Sequence, residues 1–439
     1  MLEKKCILFL YGEGRYDSSV MAVKEYIEAK GDSYVVAISD KELYPFYRYK
    51  LAFYAYRFLS RGCAWLNNLH LSFNTIWNKI NVSKSKKECK EIVEPNGGLK
   101  GLMYSWTEQY RRIRNILLRY TPEVVVCSTP KLLRDTAKAC DKAKLKNIDI
   151  CGLVTDYCLD ARFVNYKANR YFVQNSDVKE RLVSLGIDEE KIDVTGTPIS
   201  NASKEKFDRT QVLEELGIKN DRLNIAIVGG RYGQSAVRSV FTSLAELEND
   251  INIIVLSGGN NGLIKYCELI TKNRKIEDKV FVVEDIDKFA KIYTIADILV
   301  TSPTASISYE AMYHNNNVIL CNGGDTIENR NSHYLATNQL ALLGRNNDEL
   351  VASISKIMSD NEFADEMKYA QNEFVVPDCD KILGEILTKI AEDNSNNKKA
   401  EAEQAKNKST EKLAELDALE DGSNNVEQIV QEEKENIDG

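Results

Sequence analysis

Histidine is scarce in this chain of 439 residues, with His70, His314 and His333 the whole set. The ten cysteines are scattered without a CxxC pair. Neither the ligands nor the spacing of a zinc site are there, so no metal or other cofactor is expected. Unpaired thiols suit a reducing cytosol. Long apolar runs are missing too. The opening run, Cys6 to Leu10, is five residues long, too short for a secretory signal, and no stretch approaches the roughly 18 apolar residues of a membrane span. The expectation is a soluble or peripheral protein.

Positive charge is not in excess either. The net charge is -8, and from Glu392 onward there are fourteen acidic and six basic residues, so the body before it carries 52 of each sign. A nucleic-acid footprint needs a basic domain, and nucleic acid is therefore not an expected partner. Asn394 to Gly439 has no aromatic residue and is rich in Asn, Lys, Glu, Gln and Ala. That composition predicts a solvated tail with transient helix at Glu411 to Glu420, open to a protein partner. Asn81 to Lys100 is a second polar interruption and reads as a loop.

What is present is a repeated alternation of buried strands and amphipathic helices. Cys6 to Tyr11 is a continuous apolar run that stops at Gly12-Glu13-Gly14 and leads into a helical pattern through Val20, Val23 and Ile27. Further runs follow at Ser33 to Ile38, Val124 to Cys127, Ile148 to Val154 and Tyr171 to Gln174. The pattern restarts at Asn224 to Val228 and continues through Ile253 to Leu256, Val280 to Val283, Ile298 to Thr301 and Val318 to Cys321. Runs of this kind predict parallel sheets covered on both faces. Two such halves predict an α/β protein of two facing Rossmann-like domains with a cleft between them. The boundaries expected are 1–198, 199–392 and a tail over 393–439, with a late helix near Lys381 to Glu392 packing back on the first domain.

Ligands of such sheets bind at the carboxyl ends of strands. Gly12-Glu13-Gly14, Gly229-Gly230 and Gly258-Gly259 all stand at such ends, where a glycine turn before a helix can cradle a phosphate; each is equally an ordinary tight turn. Asp17, in the first turn of the opening helix, and Asp156, just after the strand ending at Val154, are carboxylates near these turns. Either fits a general base or a helix-terminal cap.

Two segments read as membrane-facing. Tyr44 to Phe58 interleaves eight aromatics, Tyr47 and Tyr54 among them, with Arg48, Lys50 and Arg57. From Tyr104 to Tyr120, Trp106, Tyr110, Ile113, Leu117 and Tyr120 form one helical stripe beside Arg111, Arg112, Arg114 and Arg119. Tyrosine and basic side chains suit the boundary of an anionic lipid surface. The same residues also suit ordinary helices with aromatic cores and solvated charges.

The stretch VTDYCLDARFVNYKANRYFVQNSDVKERLVSLGIDEEKIDVTGTPIS, Val154 to Ser200, resembles the TDxxxHxxW block and the closing G-x-P-[IV] of the monogalactosyl- and processive glucosyl-diacylglycerol synthases. These are relatives of the peptidoglycan lipid-intermediate N-acetylglucosaminyltransferase. The likeness runs in element order over residues 5 to 390. It implies the two-domain GT-B architecture, with lipid acceptor and membrane on the first domain and a UDP-sugar on the second. The chain departs from the pattern at several places. The family's GxGH turn reads Gly12-Glu13-Gly14-Arg15, and an arginine cannot act as a base near neutral pH. Thr155 and Asp156 are kept, but Asp160 and Phe163 replace the histidine and tryptophan. The donor loop PGGxTxxE reads Pro303-Thr304-Ala305-Ser306-Ile307-Ser308-Tyr309-Glu310, and QExxN reads Ile327-Glu328-Asn329-Arg330-Asn331.

The resemblance implies a glycosyltransferase moving a hexose from a UDP-sugar to a diacylglycerol-type lipid, with inversion, at the inner face of the cell membrane. In that reading Asp17, Glu13 or Asp156 is the base, and Gly12, Gly14 and Arg15 form the acceptor turn. Gly230, Arg231, Ser306, Ser308, Glu310, Glu328 and Asn331 hold the donor, and Tyr47, Tyr54, Arg57, Trp106 and Arg111 face the membrane. The alternative is a non-catalytic, membrane-associated scaffold, which the departures favour. A nucleotide-sugar epimerase on a similar fold is a third reading.

Overall fold

The computed structural model describes residues 5–12, 17–31, 33–43, 106–145, 147–228, 234–247, 250–284, 289–321, 326–401, 403–404 and 407–408; for 17, 106–110, 234–236, 289 and 326 it describes the backbone alone. The first half runs β1 (Lys5–Tyr11), α1 (Asp17–Lys30), β2 (Ser33–Ser39), α2 (Asp40–Leu43), α3 (Trp106–Tyr120), β3 (Val124–Cys127), α4 (Pro130–Ala143), β4 (Asp149–Val154), β5 (Arg170–Val173), α5 (Ser176–Ser184) and β6 (Ile192–Val194). Its strands form one parallel sheet in the order β2-β1-β3-β4-β5-β6.

Alternation along β1 shows why the apolar runs are unbroken. Ile7 and Phe9 pack with Val20, Val23 and Ile27 of α1. Leu8 and Leu10, on the opposite face, pack with Ile113 and Leu117 of α3 and with Leu132 and Leu133 of α4. A strand covered on both faces has no solvent side on which to place polar residues.

The second half opens with α6 (Asn201–Lys204) and α7 (Arg209–Leu216). It continues through β7 (Leu223–Val228), α8 (Gln234–Ala245), β8 (Ile251–Leu256), α9 (Asn261–Arg274), β9 (Val280–Val283), α10 (Phe289–Ile295), β10 (Ile298–Thr301), α11 (Ala305–Tyr313), β11 (Asn317–Leu320), α12 (Thr326–Thr337), β12 (Leu342–Leu343), α13 (Asn347–Ser359) and α14 (Asn361–Phe374). This sheet is parallel as well, ordered β12-β11-β10-β7-β8-β9. The expected pair of doubly wound sheets is what the chain forms.

The chain crosses between halves twice. On the way out, Gly196 has φ +78°, and a Cβ there would stand 2.4 Å from Cys379 Sγ and 3.0 Å from the Tyr309 hydroxyl. Only glycine fits both the left-handed backbone and that gap. Lys204 of α6 pairs with Asp380 at the same junction. On the way back, a helix over residues 379–401, α15, returns to the first half. Leu383, Leu387, Ile390 and Ala391 sit in the core beside β1 and α1. Glu385 accepts from Tyr26 and Lys30, Glu392 pairs with Lys5 at 2.6 Å, and Asn394 donates to the Glu123 carbonyl.

Candidate functional site

In both sheets the strand order reverses beside the first strand of the half, between β1 and β3 and between β7 and β10. Such switch points are where open α/β sheets hold ligands. At the first, the Gly12 amide donates to Ser128 Oγ at 3.2 Å, and α1 begins at Asp17. At the second, β10 runs through Ser302-Pro303-Thr304 into α11, whose N-cap Thr304 makes no side-chain cap bond. Its hydroxyl instead pairs with Ser302 Oγ at 2.9 Å.

Three residues that leave β4 reach from the first half to the second. After Val154 and Thr155, Asp156 accepts a hydrogen bond from Asn331 Nδ2 of α12 at 2.9 Å. Cys158 Sγ lies 3.7 Å from the Arg330 carbonyl oxygen. Between them Tyr157 is fully buried, among residues that are otherwise almost all from the second half. Asn331, also fully buried, donates a second time to the Pro303 carbonyl at 3.3 Å, and its Oδ1 has no hydrogen-bond partner. Gln174, just past β5, is 4% exposed and its Nε2 is likewise unpartnered. Each unpaired buried polar atom carries a desolvation cost.

Of the residues that the sequence puts on the donor, the structure brings Ser306, Ser308, Glu310, Glu328 and Asn331 onto α11 and α12. Ser308 is fully buried; its hydroxyl donates to the Thr304 carbonyl at 2.9 Å and meets the Tyr157 hydroxyl at 2.9 Å. Glu310 lies beneath α10, where the Tyr293 hydroxyl donates to its Oε2 at 3.1 Å. Burial pushes the Glu310 carboxyl up to about 7, against the pull of hydrogen bonds from Tyr293 and Ser203. Beside it His314 stacks on Tyr293 at 5.4 Å and meets the Ser203 carbonyl at 2.6 Å, and burial lowers its pKa. Glu328 is half-buried in the first turn of α12, and Ser306 is buried in the first turn of α11.

The position where the family pattern has a histidine belongs to structure here. Asp160 caps a short 3-10 turn, accepting from the Arg162 amide at 3.0 Å and from its guanidinium at 2.9 Å. Phe163 is in the first half's core. Glu13, Gly14, Arg15, Gly230, Arg231, Tyr47, Tyr54 and Arg57 lie outside the described residues, as do the Asp17 and Trp106 side chains.

Helix α3 divides differently from the stripe read in the sequence. Ile113 and Leu117 face the first half's core, where they pack on α4. The outward face carries Arg111, Arg112, Arg119 and Leu118, the last 53% exposed. Of the stripe, Ile113 and Leu117 are core and Tyr120 is half-buried, while the basic residues and Leu118 are outside. Among the described residues no helix is long and apolar enough to cross a membrane, and no group of three or more His, Cys, Asp or Glu side chains could hold a metal ion.

Comparison with known proteins follows the same division into halves. Residues 17–199 match the monogalactosyldiacylglycerol (MGDG) synthase family, and residues 208–374 match the glycosyl transferases group 1 family. A processive diacylglycerol beta-glucosyltransferase of Bacillus licheniformis is 23% identical over 259 residues, 59% of this chain and 66% of that protein. One from Bacillus cereus is 25% identical over 294 residues, 66% of this chain and 73% of its own length. Among solved structures, MurG of Acinetobacter baumannii aligns over 88% of this chain and 99% of its own with a TM-score of 0.57 at 13% identity. UDP-GlcNAc 2-epimerase from Neisseria meningitidis aligns over 88% and 100%, with TM-score 0.57 at 16% identity. These structures share the fold. The chain thus has the two-domain GT-B fold, its first half matching the monogalactosyldiacylglycerol synthase family and its second the glycosyl transferases group 1 family.

Proposed function

We propose that the protein moves a hexose from a UDP-sugar to a diacylglycerol-type lipid, in one inverting displacement, at the cytoplasmic face of a membrane. The observation that carries the reading is the Asp156–Asn331 contact, which sets a carboxylate of the first half against the helix bearing Glu328 in the second. Asp156 would take the proton of the lipid hydroxyl as the sugar transfers, with Asp17 and Glu13 as the other candidate bases. Glu328 and Asn331 would hold sugar or ribose hydroxyls, with Arg15 or Arg231 offsetting the leaving diphosphate. No metal or other cofactor is invoked. The relatives named as diacylglycerol glucosyltransferases support the substrate classes.

A second reading has a specific observation in its favour. Ser308 and Glu310, two positions assigned to the donor, are already engaged by Tyr157 and Tyr293. Thr304 and Ala305 stand where glycines would let amides approach a diphosphate. That pattern suits a non-catalytic, membrane-associated scaffold whose acidic tail meets another protein.

Calorimetric titration of the purified protein with UDP and UDP-glucose, beside radiolabelled hexose transfer onto diacylglycerol vesicles, separates the two. Binding with transfer is the expected result. Failure to bind any common uridine sugar would leave the scaffold.

A further inference from the structure

We infer that Tyr157 is a positioning residue: a first-half side chain, inserted into the second half, that pins α11 and α12 to the β4 loop and so fixes where Asp156 stands. Its consequence for turnover rests on the transferase reading; the contact itself does not.

The insertion is gripped on every side. The Tyr157 hydroxyl reaches the Ala305 carbonyl at 3.1 Å and Ser308 Oγ at 2.9 Å, both in α11. Its ring stacks on Tyr334 of α12, with centroids 5.9 Å apart and planes 10° apart, and lies 5.9 Å from Phe374 of α14. From below, Asn175 Nδ2 donates to the Tyr157 carbonyl at 3.1 Å while Asn175 Oδ1 caps α5 at the Val178 amide. The ring is therefore anchored to the first half through its backbone and to the second through its side chain.

Position along α12 links this grip to the site. Tyr334 and Asn331 are three residues apart and so share one helix face. The same two-residue unit thus stacks on one and hydrogen-bonds the other, Tyr157 on Tyr334 and Asp156 on Asn331. A phenylalanine would fill the same volume. The hydroxyl is needed because a ring that ends at α11 meets buried carbonyl and hydroxyl groups. Losing the phenol oxygen leaves the packing intact and removes the bond that sets the angle between α11 and the β4 loop.

The test uses the full chain with Tyr157→Phe, Ser308→Ala and the double variant. Each single change is expected to lower kcat for hexose transfer about five- to tenfold, the loss of one buried hydrogen bond. The donor KM of Tyr157→Phe should stay within about twofold, because uniform binding is not what the bond supplies. The double variant should be slowed by less than the two single losses combined, since both remove the shared Tyr157–Ser308 bond. In ligand-free protein, amides of residues 305–313, the helix that the hydroxyl holds, should exchange with deuterium faster in Tyr157→Phe, while β7 and β8 are unchanged. Wild-type kcat and exchange in Tyr157→Phe, or additive losses in the double variant, would overturn the inference. If the unaltered protein transfers no hexose, the transferase reading falls, and the exchange comparison alone decides whether the Tyr157 hydroxyl pins α11.

Discussion

Two buried carboxylates in this chain have opposite surroundings, and their substitutions should behave accordingly. Asp156 stands at the meeting of the halves and accepts from an amide, Asn331 Nδ2. Asp156→Asn keeps an acceptor for that amide but cannot take a proton. In the proposed transferase Asp156 is the base, and general-base loss is worth about 100-fold or more in turnover, so kcat should fall by that order while UDP affinity, read by calorimetry, holds. Glu310 is closed in by Tyr293 and the α6 junction, with its carboxyl at about 7 in the fold against an ordinary 4.5. A raised carboxyl contributes stability that is complete below about 4.5 and is lost as pH rises to about 7, a difference of about 3 kcal/mol. Glu310→Gln removes that titration and still accepts from Tyr293. Its melting temperature should match the wild type near pH 5 and exceed it at pH 8. Parallel pH profiles for the two proteins would mean that the carboxyl is ionised and solvated in the fold.

At the scale of elements, each long apolar run proved to be a strand, because a strand covered on both faces leaves a continuous hydrophobic signature. The strands that escape such reading are β6 and β12, three and two residues at sheet edges, too short for any periodicity to show. The site was legible only in fragments. Asp156 and Asn331 each stand out in the sequence, but their contact spans 175 positions. Tyr157 carries no local signal, since its partners Ser308 and Tyr334 belong to the other half. Helix α3 shows the converse: a 3.6-residue stripe tells which residues share a face, not whether that face meets protein or lipid. With Ile113 and Leu117 turned inward, what the described part of α3 offers a membrane is Arg111, Arg112 and Arg119 beside Leu118. Each basic residue near an anionic leaflet contributes about 1 kcal/mol. Arg111→Glu with Arg119→Glu should therefore weaken binding to anionic vesicles by well over about tenfold and leave weak binding to zwitterionic vesicles as it was. Equal sedimentation of both proteins would move the membrane face off α3.

For the whole molecule, the two halves do not own the chain in sequence order. The last described helix, α15, follows the second half yet completes the first half's core, where Leu387 is fully buried with Ile7, Phe9 and Val23. Tyr157 makes the reverse exchange. A chain laced in both directions couples the stability of its halves, because separating them would expose apolar surface on each. Leu387→Ala leaves every strand of the first sheet in place and cuts a cavity under β1. Such a change costs about 2–5 kcal/mol. If the lacing couples the halves, urea unfolding followed by far-ultraviolet dichroism and by hydrogen exchange in β7 and β10 should shift to lower midpoint together, although those strands lie in the other sheet. A midpoint that falls only for β1 and β3, with the second half's strands protected as before, would mean that α15 braces one domain and that the halves open independently.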